Sequence, residues 1–152
     1  MKFKVFIGVD ISKLTLDIAV IGTDSSTNSF RINNNALAIE DFFLGLSKEI
    51  DLRGALICGE HTGHYGYPLR EFCLSQGHSL WLEGGAEIKL RSGVTRYKND
   101  CVDAIRIADY ARRFHDRARI ERVDDQRLES LKALASERDL YIKERAKYRA
   151  QL

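Results

Sequence analysis

This chain of 152 residues is poor in cysteine (three), proline (one), tryptophan (one) and methionine (one), and it has no long apolar run. Nothing in it approaches the roughly 20 consecutive apolar residues that a membrane-spanning helix requires. Met1-Lys2-Phe3-Lys4 leads straight into a strand pattern instead of a signal peptide, so a cytoplasmic protein with no membrane partner is expected. Cys58, Cys73 and Cys101 are odd in number and lack C-x-x-C spacing, which argues against a disulfide framework and a thiolate zinc site. They are expected to be reduced and mostly packed. The phosphate-cradling motifs G-x-x-x-x-G-K-[ST] and G-x-G-x-x-G do not occur, and neither does a serine-nucleophile elbow. His61 and His64 flank Thr62-Gly63 without a further nitrogen or sulfur ligand nearby, a weak basis for zinc, and His78 and His115 stand alone.

What is present describes a soluble globular chain, 44% hydrophobic and 30% charged, long enough for one ordinary domain and an appendage. The net charge of +2 is unevenly spread. Between residues 89 and 119, nine basic residues (Lys89, Arg91, Arg96, Lys98, Arg106, Arg112, Arg113, Arg117, Arg119) face four acids, Asp100, Asp103, Asp109 and Asp116. Such an excess suits a polyanionic partner, because Lys and Arg on phosphates supply the sequence-independent part of nucleic-acid affinity. An arginine-rich solvated helix face would have the same composition.

Phe3, Val5, Ile7 and Val9 alternate with Lys4, Phe6 and Gly8, which predicts a strand ending at Asp10. A second strand over Leu14–Ile21 follows a short turn at Ser12 and Lys13, so the pair should form an antiparallel hairpin. Ser29–Asn33 reads as a third, more polar strand. After the Asn33-Asn34-Asn35 caps, Leu37, Phe42, Phe43, Leu46 and Ile50 supply a helical stripe. Ala55–Cys58 is a buried strand with Glu60 leaving its end, Tyr67–Ser75 a helix with Pro68 in its first turn, and His78–Leu82 a fifth strand. Gly84-Gly85 and residues 91–99 are expected to be the loosest part. A helix over Asp100–Phe114 presents Val102, Ile105, Ala108 and Ala111, and a last helix runs from about Asp124. Its Leu128, Ala135 and Ile142, and its Leu134, Tyr141 and Tyr148, recur every seven residues, as in a coiled coil. This order predicts an α/β fold built on a mixed five-stranded sheet, with strand one central and beside strand four.

Four carboxylates stand out: Asp10, Glu60, Asp100 and Asp103. Singly, Asp10 could be a turn former or helix cap, and Asp100 and Asp103 could serve the dipole of their helix. Glu60 follows the apolar run Ala-Leu-Ile-Cys-Gly and is not a preferred turn residue. Together they project toward one end of the predicted sheet. Two carboxylates about 4 Å apart repel by roughly 4 kcal/mol at an effective dielectric of ~20, a conflict that a divalent cation removes. Hard cations such as Mg²⁺ take oxygen ligands, and paired cations can clamp both oxygens of a phosphodiester displacement.

Gly8-Val9-Asp10-Ile11-Ser12-Lys13, Glu60-His61-Thr62-Gly63-His64-Tyr65 and Lys98-Asn99-Asp100-Cys101-Val102-Asp103-Ala104, with Ala108 and Arg112 following, closely resemble the N-terminal domain of the DEDD insertion-sequence transposases. These are relatives of the Piv DNA invertase and include the bridge-RNA-guided recombinases. The resemblance covers about residues 3 to 115. It implies an RNase H-like, RuvC-type fold, with Asp10, Glu60, Asp100 and Asp103 as ligands of Mg²⁺ or Mn²⁺. It also implies a domain that cuts and rejoins DNA within a homo-oligomer, in some members with a guide RNA. On this basis residues 1–117 form the catalytic domain. Residues 118–152 begin a coiled-coil segment leading to a second domain that carries a serine nucleophile, and the chain, stopping at Leu152, is expected to be incomplete for recombination. Lys13, Lys89, Arg91, Arg96 and Lys98 are candidates for holding backbone phosphates, and Thr62 and Tyr65 for supporting the site.

Two other readings stay open: a water-using nuclease or junction resolvase of the same superfold, and a DNA-binding or dimerisation module without catalysis. The actin-like and sugar-kinase superfold also places an Asp after its first strand, but Ile11-Ser12-Lys13 lacks the glycine-rich phosphate turn which that fold needs.

Overall fold

A computed structural model describes residues 3–93 and 100–150; within the second stretch the side chains of Asp100, Cys101, Asp124, Asp125, Gln126, Glu129 and Ala150 lie outside the description. The first strand, β1 (Val5–Ile11), turns into β2 (Thr15–Ile21), closed by the Ser12 amide donating to the Thr15 carbonyl at 3.0 Å. β3 (Thr27–Asn33) follows a turn in which Asp24 accepts from the Ser26 amide and hydroxyl. Then come α1 (Ala36–Leu46), β4 (Ala55–Glu60), α2 (Tyr67–Gln76), β5 (Ser79–Glu83), α3 (Gly85–Ser92) and α4 (Asp100–Phe114). The five strands lie in the order β3-β2-β1-β4-β5, with β1 antiparallel to β2 and parallel to β4. The expected mixed sheet with a central first strand is therefore the observed one.

Because side chains alternate across a strand, β1 serves two cores. Val5, Ile7, Val9 and Ile11 join Leu16, Ile18, Ile57 and Leu80 under Ile39, Phe43 and Leu46 of α1 and Leu69 and Cys73 of α2. Phe6, on the other face, joins Leu56, Cys58 and Trp81 under Ile88 of α3 and Ile107, Tyr110 and Ala111 of α4. Each fully buried branched side chain contributes about 1.5–3 kcal/mol, and Ile7, Leu16, Ile18, Leu56 and Ile57 are all at or below 1% exposure.

Three local expectations are corrected. The α1 stripe is Ile39, Phe43 and Leu46, at i, i+4 and i+7, which leaves Leu37 at 69% exposure; the helix ends at Ser47, so Ile50 lies beyond it. Glu60 is the last residue of β4 and does not sit beyond it. Gly85, Arg91 and Ser92, expected to be loose, belong to α3, an eight-residue helix anchored by the buried Ile88. The paired glycines do not break it, since Gly84 is the extended cap before it. Arg96 and Lys98 lie outside the described residues.

The chain separates into two compact units, Met1–Glu121 and Arg122–Leu152. The second is one long helix, α5 (Val123–Ala150), whose Leu128, Leu131, Leu134, Tyr141, Ile142 and Tyr148 are exposed. Among the described residues no helix is long and apolar enough to cross a membrane.

Candidate active site

The geometry begins at Gly8. A β-carbon there would fall on the Ala104 carbonyl oxygen and the Ala108 amide, and 2.9 Å from the Ala108 Cα. All three are backbone atoms, so α4 rests on β1 at a distance only glycine permits. α4 runs antiparallel to β1: Ala104 and Ala108 meet Gly8, while Tyr110 and Ala111 meet the cluster around Phe6. The N-terminal turn of α4, which begins at Asp100 and contains Asp103, is thereby brought to the carboxyl end of β1. The positive end of the α4 dipole points the same way, favourable to anionic groups.

The sheet register assembles a row of charge at that end. Asp10 pairs directly with Asp17 of β2, and Asp17 with Arg31 of β3. On the other side Val9 pairs with Gly59, so the following residues, Asp10 and Glu60, are neighbours on adjacent parallel strands and share a face. Glu60 in turn pairs with Glu83 of β5. Arg31, Asp17, Asp10, Glu60 and Glu83 thus cross all five strands in order, on the face that α4 covers.

Each member is held differently. Asp17 is only 5% exposed and accepts two bonds from Arg31, Nε to Oδ1 at 2.8 Å and Nη2 to Oδ2 at 3.1 Å. Glu60 lies against Gly85, the first residue of α3, with its carboxylate where a β-carbon of residue 85 would be. Glu83 accepts from the Gly84 amide at 2.8 Å. Asp103 is half-buried and paired with Arg106 at 2.9 Å, one turn along α4. It shares a helix flank with Ile107 and Tyr110, which pack toward β4 and β5, and so lies on the Glu60 side. The Asp100 side chain is outside the described residues.

Around this end, the Asn34 amide nitrogen donates to the carbonyls of Ser12 and Tyr65, at 2.8 and 2.9 Å, tying the β1–β2 turn to the loop after Glu60. In that loop the Thr62 hydroxyl is buried without a hydrogen-bond partner among the described residues, while Tyr65 is exposed and packs edge-on against His64. Lys13 is exposed in the β1–β2 turn and Lys89 on α3. Arg91 pairs with Glu87 and lies over the Phe114 ring, 5.5 Å from its centroid. Arg113 and Arg117 approach the same ring at 5.4 and 6.0 Å.

The donor chemistry suits a hard divalent cation: carboxylate oxygens on one face, with no thiolate or imidazole among them. Among the described side chains no three metal-ligating groups are gathered into a cage, so Asp10, Glu60 and Asp103 do not close around one point by themselves. Asp17 and Glu83 were not singled out from the sequence. Their signal was an acid on the α4-covered face of an otherwise apolar strand, opposite Asp10 for one and opposite Glu60 for the other; reading it requires the register.

A family model described as Transposase, of the IS110 type with DEDD acids, matches residues 7–152. The transposase for insertion sequence element IS1533 of Leptospira borgpetersenii is 31% identical over 110 residues, which are 71% of this chain and 31% of that relative. This chain therefore spans about a third of that relative's length. Among solved structures, T. thermophilus RuvC in complex with Holliday junction substrate shares the fold, with a TM-score of 0.52 at 10% identity over 72% of this chain and 95% of that one.

Proposed function

The chain belongs to the IS110-type DEDD transposase family, and we propose that its first unit is the cation-dependent catalytic domain of a transposase that cuts and rejoins DNA. The observation that carries this reading is the approach of α4 to Gly8, which sets the turn bearing Asp100 and Asp103 over the sheet end where Asp10 and Glu60 are neighbours. Asp10, Glu60, Asp100 and Asp103 would hold Mg²⁺ or Mn²⁺. Bound there, the cation supplies Lewis-acid polarisation of a phosphodiester and stabilisation of charge on its leaving oxygen.

The chain's own groups do the rest. Lys13 in the β1–β2 turn holds backbone phosphates beside the acids, and Lys89 and Arg91 extend that contact along α3; Arg96 and Lys98 are further candidates for phosphate binding. A guide RNA would satisfy the same cations as DNA does. Thr62 and Tyr65 orient the loop after Glu60, which Asn34 fastens to the β1–β2 turn. The nucleophile comes from a serine-bearing segment outside residues 1–152, in keeping with the third of the relative's length that the chain spans. The exposed apolar residues of α5 suit a helix of a second copy, in a cytoplasmic homo-oligomer.

Calorimetric titration of Mg²⁺ and Mn²⁺ into the chain and into its Asp10→Asn and Glu60→Gln variants tests the site, with saturable binding expected for the parent alone. Equal heats for all three would remove the metal reading. The nucleophile is tested by the products: a longer chain that carries the serine should leave covalent protein–DNA adducts. Cation-dependent release of free DNA ends by residues 1–152 alone would instead identify a junction resolvase or nuclease.

A further inference from the structure

Asp17 and Arg70 are the buried charged residues of the described chain. Arg70 has an evident structural partner in Glu121. Asp17 is harder to explain by structure alone. It stands on β2 in the series Asp17, Ala19, Ile21, of which Ala19 and Ile21 pack against Ala104 and Ala108 of α4. An apolar side chain at position 17 would continue that packing without any desolvation cost. The sequence instead has a carboxylate directly across from Asp10, where the two β-carbons of a cross-strand pair lie about 4.5–5.5 Å apart and like charges destabilise the sheet.

Arg31 makes this arrangement tolerable. Its guanidinium grips Asp17 in a two-bond fork from the next strand, a geometry that fixes the carboxylate in direction. Asp17 and Arg31 are then neutral as a pair but not featureless: they form a dipole along the register line with its negative end toward Asp10. Without a cation, Arg31 offsets part of the repulsion that Asp17 exerts on Asp10, the nearer Asp17 charge keeping the larger effect. With a cation at Asp10, the nearer charge of the pair dominates and is attractive, since Coulomb interactions weaken with distance.

We propose that Asp17 and Arg31 are positioning residues that set the strength of cation binding at the site, Asp17 adding to it and Arg31 restraining it. The inference rests on the reading that Asp10 is a metal ligand. It predicts opposite effects from two substitutions that break the same ion pair. Asp17→Asn leaves the Arg31 charge beside the site and should weaken Mn²⁺ binding about tenfold. Arg31→Gln leaves the Asp17 charge and should tighten it by about threefold or more. The double variant Asp17→Asn/Arg31→Gln restores a neutral pair that can still hydrogen-bond across the strands, and it should bind within about threefold of the parent.

The measurement is Mn²⁺ affinity by electron paramagnetic resonance or calorimetry on the chain alone, with circular dichroism confirming the fold of each variant. A purely structural pair would weaken binding in both single variants, or change it in neither; either result overturns the proposal. If one single variant does not fold, the other decides: a shift in the direction given above supports the proposal, and an unchanged or oppositely shifted affinity removes it. Absence of Mn²⁺ binding by the parent overturns the metal reading and this inference with it, whereas a binding parent with an unchanged Asp17→Asn variant overturns this inference alone.

Discussion

Gly8 and Ala104 touch through their backbones: the α-carbon of the glycine faces the Ala104 carbonyl with no room for a methyl group between them. The contact brings β1 and α4 together backbone to backbone, and the acids of both elements lie beyond it. Gly8→Ala should push α4 outward, at a stability cost of about 1–3 kcal/mol typical of overpacking, and should weaken cation binding as Asp103 is carried away from the sheet. Shrinking Ala104 or Ala108 to glycine should not rescue the variant, because the obstruction is main chain. Urea denaturation with Mn²⁺ titration checks both statements, and full rescue by Ala108→Gly would refute the packing account.

Asp10→Asn carries a different signature. The substitution removes a charge opposite Asp17, whose repulsion Arg31 already offsets in part, so the relief is worth less than about 1 kcal/mol. The cation-free variant should therefore be as stable as the parent or slightly more so, while cation-dependent DNA cleavage is lost. Urea midpoints measured in a chelator report the first effect. A large loss of stability there, with cation binding retained, would make Asp10 a structural acid.

Much of this arrangement was legible in the sequence, and the illegible part has a common cause. Hairpin-spaced strands followed by helix-strand alternation determine the sheet order, and Asp10 and Glu60 draw notice because they interrupt apolar runs. Asp17 and Glu83 also interrupt apolar runs, yet nothing local connects them to the site; only the pairings Asp10 with Asp17 and Glu60 with Glu83 do so. The close approach at Gly8 depends on α4, nearly a hundred residues away. α3 was missed for another reason, since two glycines mark a loop by propensity while one buried residue, Ile88, is enough to hold a short helix by tertiary packing.

The segment after α4 is fastened by a buried ion pair. Arg70 Nη2 and Glu121 Oε2 are 2.7 Å apart, with side chains 5% and 17% exposed, and the Glu121 amide donates to the Leu80 carbonyl on the edge of β5. Glu121→Ala should destabilise the first unit by about 3–5 kcal/mol, because it leaves the guanidinium buried without its counter-charge. Arg70→Met/Glu121→Leu should recover most of that loss, since replacing both partners removes the desolvation penalty along with the attraction. Thermal melts of the three proteins distinguish the outcomes, and a double variant no more stable than Glu121→Ala would show that the pair itself holds the segment.

Cys58 and Cys73 are fully buried on opposite faces of the sheet. Burial pushes both thiols up, Cys73 to about 12 and Cys58 further, with the Glu83 charge adding to the effect. In a Cys101→Ser variant, where these two are the remaining thiols, reaction with an aromatic disulfide should proceed only as fast as the protein unfolds, because the thiolate is the reactive species. The same shift predicts a pH dependence. Below about pH 8.5 the thiols are protonated in both states and their contribution is fully present. Above that, the unfolded chain releases protons that the native chain retains, so stability falls as pH rises toward about 12 for Cys73. The slope is about 1.4 kcal/mol per pH unit for each thiol. Cys73→Ala should flatten the alkaline limb of the stability curve by one such increment, and an unchanged slope would place the native thiol in contact with solvent.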